Sequence, residues 1–279
     1  MQANLNQEHD LFERSGEYWI ATEYGRHYVK IWKPINQHDA KYDTKIEPIV
    51  LFHDSLGCVA LWRDFPAELA NATGRTVIAY DRLGFGKSSP YPRAWTTNFI
   101  NDEVELDFPA LQAALGFGDF IAFGYSVGGI IAVGCAAQNQ TQCKAVITLS
   151  SPALVDEGMR RGLLQAQHDF AQPNQVDRLA RYHGDQATWV LSAWLDTWLS
   201  DDFSAWHVEQ VASSLNCPLL VIHGDHDEYA SLDHAQRILN LTHGSKELLI
   251  IKDGHHTPLR ENPNLVLDIT SRFLATTFG

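Results

Sequence analysis

The chain has 279 residues, 45% of them apolar, and its 34 acidic and 21 basic side chains give a formal charge of −13. That length and apolar content suit one domain with a sizeable core. No run of Lys and Arg offers the basic stripe that nucleic acid requires, and no apolar stretch approaches the roughly 20 residues of a membrane-spanning helix, so neither partner is expected.

The opening segment, MQANLNQEHDLFERSG, has neither a basic nor an apolar signal region, so no secretory leader is expected. EYWIATEY and RHYVKIWK, joined at Gly25, read as a hairpin. The polar loop NQHDAKYDTK follows. Six buried strand candidates come next: PIVLFH, TVIAYD, FIAFG, AVITLS, PLLVIHG and ELLIIK. Helical patterns lie between most of them, around 61–71, 98–115, 127–138, 231–240 and 263–275. Near-continuous apolar strands alternating with helices predict a mainly parallel sheet flanked by helices on both faces, an α/β fold. From Pro152 to Ser213 no strand candidate occurs, and four of the eight tryptophans lie there: Trp189, Trp194, Trp198 and Trp206. The expected organisation is a core of residues 1–151 and 214–279 with a helical lid inserted at 152–213. Cys58, Cys135, Cys143 and Cys217 form no C-x-x-C pair, which fits packed, reduced thiols in a cytoplasmic protein.

The stretch DFIAFGYSVGGI places Ser126 between glycines where a strand ends and a helix begins. Composition alone gives about 0.1 chance matches to G-x-S-x-G in a chain this long, so the strand-to-helix setting carries the weight. There the serine sits on a strained turn, its hydroxyl lifted above the sheet and facing the positive end of the following helix. A hydroxyl becomes a strong nucleophile when a base takes its proton and an acid orients that base. Asp225 and Asp227 follow PLLVIHG, and His255 and His256 follow ELLIIK, which supplies the order Ser, Asp, His. From the residues alone both acids and both histidines stay open.

With these stretches the chain resembles the α/β-hydrolase-fold serine hydrolases that carry a helical lid, over nearly its whole length from Tyr18. HDSLGCVALW (53–62) resembles the family's oxyanion loop, and YDRLGFGKS (80–88) its D-x-x-G-x-G-x-S turn. GDHD (224–227) is similar to G-x-x-D, and HTPLRENP (256–263) to H-x4-E-x-P. The resemblance implies Ser126 as nucleophile. It implies Asp227, three residues after the strand-end glycine, as the acid, with Asp156 a weaker alternative. It implies His256, five residues before Glu261, as the base, with His255 the runner-up. The backbone N–H of Val127 and that of Ser55, or else Leu56, are then the oxyanion donors. Asp54 departs from the family pattern by standing where a glycine usually follows the histidine.

Two other motifs fail. GFGKSS lacks a P-loop's first glycine, because Asp81 stands there. The spacing of HGDHD and GHH fits no standard metal-ligand set, so no metal and no cofactor is expected. The expected activity is acyl-enzyme hydrolysis of a small, partly apolar carboxylic ester, thioester or lactone. C–C bond hydrolysis and cofactor-free perhydrolysis use the same three residues, and a ligand-binding protein of this fold with little turnover is the non-enzymatic alternative. A serine at the elbow argues against haloalkane dehalogenases and epoxide hydrolases, which place an aspartate there.

Overall fold

A computed structural model describes residues 15–35 and 46–279. The expected polar loop at 36–45 and residues 1–14 lie outside the described residues. β1 (Gly16–Thr22) and β2 (Gly25–Trp32) form the opening hairpin, turning at Glu23 and Tyr24. β3 (Ile49–Phe52), β4 (Val77–Tyr80), β5 (Phe120–Tyr125), β6 (Cys143–Leu149), β7 (Leu219–Gly224) and β8 (Lys246–Ile251) run parallel to one another. β2 joins them by pairing antiparallel with β4. The sheet order is β1-β2-β4-β3-β5-β6-β7-β8.

Every residue of β3, β4 and β7 is buried, which is why these strands read as unbroken apolar runs. Their side chains alternate between two cores. Val50, Phe52, Ile78 and Tyr80 face one side, packed on α3 (Phe108–Leu115), α4 (Val127–Gln138) and α8 (Leu232–Leu239). Ile49, Leu51, Val77 and Ala79 face the other, against α1 (Phe65–Thr73) and α9 (Pro263–Phe278).

The helical pattern at 98–115 is interrupted: α2 (Phe99–Asp102) passes through a π turn at Glu103–Asp107 before α3. Pro109 has no N–H to offer the carbonyl four residues back, so the ladder there takes a wider turn. Between β6 and β7 the chain leaves the sheet and forms α5 (Glu157–Phe170), α6 (Gln175–His183) and α7 (Ala187–Leu199). All four cysteines are buried and free of disulfides. Among the described residues no helix is long and apolar enough to cross a membrane.

This topology fixes where a site can form. After β3 the chain turns outward to β4, and it later returns to lay β5 on the other side of β3. The loops leaving the C-terminal ends of β3 and β5 are therefore neighbours, at the switch point where an open parallel sheet gathers ligands.

Candidate active site

Ser126 occupies the turn between β5 and α4 with φ 54° and ψ −125°, a conformation that side chains rarely adopt. Its N–H is tied to the Leu149 carbonyl of β6 at 2.8 Å, which holds the turn against the neighbouring strand. The flanking glycines answer to crowding. A Cβ at Gly124 would lie 2.1 Å from the Gly128 carbonyl oxygen, and one at Gly128 would lie 2.0 Å from that of Phe52. Helix α4 can start against the end of β3 only without those side chains.

His256 arrives from the far side of the sheet. The loop after β8 crosses the end of β7, where a Cβ on Gly224 would meet the Gly254 carbonyl oxygen at 2.2 Å. His256 is then clamped at both backbone groups. Its N–H donates to Glu228 Oε2 at 3.1 Å, and its carbonyl accepts from the Tyr125 hydroxyl at 2.8 Å. The imidazole Nδ1 lies 2.9 Å from each carboxylate oxygen of Asp227, and Nε2 lies 3.1 Å from Ser126 Oγ. With Nδ1 donating to the carboxylate, the Nε2 lone pair faces the serine hydroxyl. Such a chain can take the proton from the hydroxyl as it attacks and stabilise the imidazolium that forms.

The electrostatics agree with that order. Burial depresses the basicity of His256, but the Asp227 charge and hydrogen bond, with Glu228 and Asp54 behind them, outweigh it and raise its pKa above the ordinary histidine value. Burial likewise pushes the Asp227 carboxyl up. The charge and hydrogen bond of His256, then His223 and the Tyr229 N–H, outweigh it and hold the carboxyl below the usual range. The Asp227 side chain is fully buried and also accepts from the Tyr229 and Ala230 amides at 2.9 and 3.1 Å.

The runner-up residues lie elsewhere. The His255 side chain is 60% exposed and pairs with Glu261, while Asp225 pairs with His226. Asp156 caps α5 and accepts from His234 Nε2 at 3.0 Å. The exposed group Asp225, His226 and Asp253 brings its ligand atoms within 4.8 Å of one another and is the one candidate cation cluster among the described residues. None of its members lines the cavity beside Ser126.

Val127 opens α4, and Ser55 lies in the loop after β3. Among the described residues neither backbone N–H has an acceptor within the protein. Asp54 brings no strain to that loop, because its φ is negative, and its carboxylate tucks against Gly57, where a Cβ would lie 2.0 Å from Oδ1. The glycine that is missing at position 54 is in effect supplied at 57. The Leu56 N–H is turned toward the Asp54 carboxylate and helps to offset the rise that burial imposes on it.

A cavity of about 390 Å³ opens over Ser126 and His256. Met159, Leu163, Phe170, Trp194 and Trp198 of the helical insertion line it, facing Tyr229 of the core. That volume is at the small end of ligand pockets. One contact from the insertion was not legible in the sequence. His183, buried at the end of α6, accepts from the Gly86 N–H at 2.9 Å through Nδ1 and contacts the Leu56 carbonyl at 3.0 Å through Nε2. It thereby ties the insertion to the loops beside Ser126. The turn of Gly84 and Gly86 is braced by Asp81, whose carboxylate accepts from the Val59 and Lys87 amides at 2.6 and 2.7 Å.

A mainly parallel sheet with a serine elbow at its switch point defines an α/β-hydrolase-type architecture. Residues 47–196 match the family described as alpha/beta hydrolase fold, and the chain belongs to that family. It is 26% identical to the serine hydrolase BPHL of Mus musculus over 206 residues, which is 71% of this chain and 69% of that protein. Among solved structures, a serine hydrolase involved in carbazole degradation (the CarC enzyme) superposes with a TM-score of 0.69 at 18% identity, over 94% of this chain and all (100%) of that one. A thermophilic esterase from Thermogutta terrifontis superposes with a TM-score of 0.68 at 18% identity, over 95% and 100% of the two chains. At such identities the two structures establish a shared fold.

Proposed function

We propose that the protein is a serine hydrolase that cleaves a small, partly apolar carboxylic ester through an acyl-enzyme. The observation that carries this reading is the continuous chain from Ser126 Oγ through His256 to the buried Asp227 carboxylate, at 3.1 and 2.9 Å. Ser126 attacks the carbonyl carbon while His256 accepts its proton. Asp227 holds the imidazole tautomer and stabilises the imidazolium. The Val127 and Ser55 amides receive the developing oxyanion. His256 then protonates the departing alkoxide, and the C–O bond breaks. Water, deprotonated by His256, attacks the acyl-serine, and collapse of that second intermediate frees the acid and restores the serine hydroxyl. The identity to a protein named as a serine hydrolase supports the reaction class.

In the same reading residues 152–213 act as a lid that sets substrate preference. Its aromatics divide by position: Trp194 and Trp198 line the cavity, whereas Trp206 packs against Trp198 and Phe203. Each methylene buried on binding contributes about 0.8 kcal/mol. Trp194→Ala is therefore expected to shift the optimum along a series of p-nitrophenyl esters of increasing acyl length. Trp206→Ala is expected to lower the melting temperature and to leave the ranking of substrates as it was. Equal rankings for wild type and Trp194→Ala contradict the lid assignment, and a panel in which no ester turns over contradicts the substrate class.

The raised pKa of His256 gives a pH prediction. The base must be neutral to accept a proton, so kcat/KM rises with pH through the His256 pKa. Glu228→Gln keeps an acceptor for the His256 N–H but removes an anion that favours the imidazolium. The acid limb of the profile should then move to lower pH, by a fraction of a unit, because Glu228 is exposed and screened by water. A limb that stays in place or moves to higher pH contradicts the electrostatic account.

A further inference from the structure

We infer that Arg82 is a positioning residue that aims the Ser55 amide at the oxyanion, an inference that rests on the serine-hydrolase reading above. The peptide unit joining Asp54 to Ser55 is planar and trans, so its C=O and N–H point in opposite directions. Whatever fixes the Asp54 carbonyl also fixes the Ser55 N–H. Three donors converge on that carbonyl: His53 Nδ1 at 2.8 Å, Arg82 Nη2 at 3.0 Å and the Gly57 N–H at 3.1 Å. A carbonyl oxygen has two lone pairs, so this anchor is saturated. The Ser55 N–H is held on the opposite side, with no acceptor of its own among the described residues.

The lock is built from the residues that flank it. His53 accepts the Arg82 backbone N–H at Nε2, at 3.1 Å, which leaves the proton on Nδ1 to donate to Asp54. Burial, followed by the Arg82 charge, keeps His53 in that neutral form. Arg82 is 3% exposed, and its Nε has no partner among the described residues. Its guanidinium stacks over Phe85 at 4.3 Å, and burial lowers its pKa, an effect that nearby Glu103, Tyr80 and Asp54 partly offset. Arg82, Ser55 and Val127 also border one small void of about 10 Å³, so the three residues meet around a single space.

A buried arginine is an expensive way to hold a loop, since a charge out of water needs partners that a neutral donor does not. Its charge does what a neutral donor does less well. A charge-assisted bond to a peptide carbonyl polarises the whole unit and makes its N–H a stronger donor. That gain counts most when the oxyanion forms, and so belongs to the transition state.

Arg82→Gln is therefore expected to lose about 10²-fold in kcat on a short p-nitrophenyl ester, near the loss on removing one oxyanion donor, with KM little changed. Arg82→Lys, which keeps the charge without the fork, should retain more activity than Arg82→Gln. Added guanidinium should restore part of the rate to Arg82→Ala. In the wild-type protein, the Ser55 amide proton resonance should move downfield when Ser126 is phosphonylated, a measurement that needs no variant to fold. A folded Arg82→Gln with wild-type kcat overturns the inference, as does a Ser55 resonance that the adduct leaves in place. Failure of the wild-type protein to hydrolyse any ester or to take up phosphonate overturns the hydrolase reading instead.

Discussion

Ser126→Ala is expected to keep the fold and to lose about 10⁴- to 10⁶-fold in ester turnover, the scale of loss seen when a serine nucleophile is removed. The backbone at this position already has a φ of 54° with a Cβ present, and alanine presents the same Cβ. The substitution removes the hydroxyl alone, whose partner is His256 Nε2 at 3.1 Å. The melting temperature should change little, because no buried apolar contact is lost. Residual turnover should come from substrate binding and the oxyanion amides, which the substitution leaves intact. Steady-state hydrolysis of a p-nitrophenyl ester, measured beside thermal unfolding, checks both halves. A folded variant with near wild-type turnover contradicts the assignment of the nucleophile.

The second large effect separates two adjacent histidines. His256→Ala should lose activity on a scale similar to Ser126→Ala, because nucleophile and base act as a unit. His255→Ala should stay near wild type, since that ring is 60% exposed and pairs with Glu261 rather than with Ser126 or Asp227. The two variants assayed under identical conditions decide the point. Loss of activity in His255→Ala with its retention in His256→Ala contradicts the site geometry. The sequence spacing between His256 and Glu261 has a physical source that lies outside proton transfer. Glu261 accepts the His255 N–H and the Thr257 hydroxyl, each at 3.0 Å, and so braces the turn that presents His256.

The centre of the sheet was legible because strands such as β3, β4 and β7 are buried on both faces, which makes each of these an unbroken apolar run. The elbow was legible because crowding around Gly124 and Gly128 is local and excludes side chains. The break in the helical pattern at 98–115 hung on Pro109, whose missing N–H is a local signal that apolar periodicity overrides. What the sequence did not disclose are the contacts made across long separations. Tyr125 reaches the His256 carbonyl 131 residues away, and His183 reaches Leu56 across 127. The three donors on the Asp54 carbonyl come from positions 53, 57 and 82, and only the fold brings them to one oxygen. Asp54 itself departed from the family pattern of the oxyanion loop. The space for its carboxylate is provided by Gly57, a compensation three residues away that no single motif records.

The most direct test of a serine nucleophile in this site is reaction with a fluorophosphonate, followed by mass mapping of the adduct. One phosphonyl group is expected on the peptide that contains Ser126, absent in Ser126→Ala and formed far more slowly in His256→Ala. A folded wild-type protein that takes up no phosphonate, or takes it up on a residue other than Ser126, would contradict that assignment.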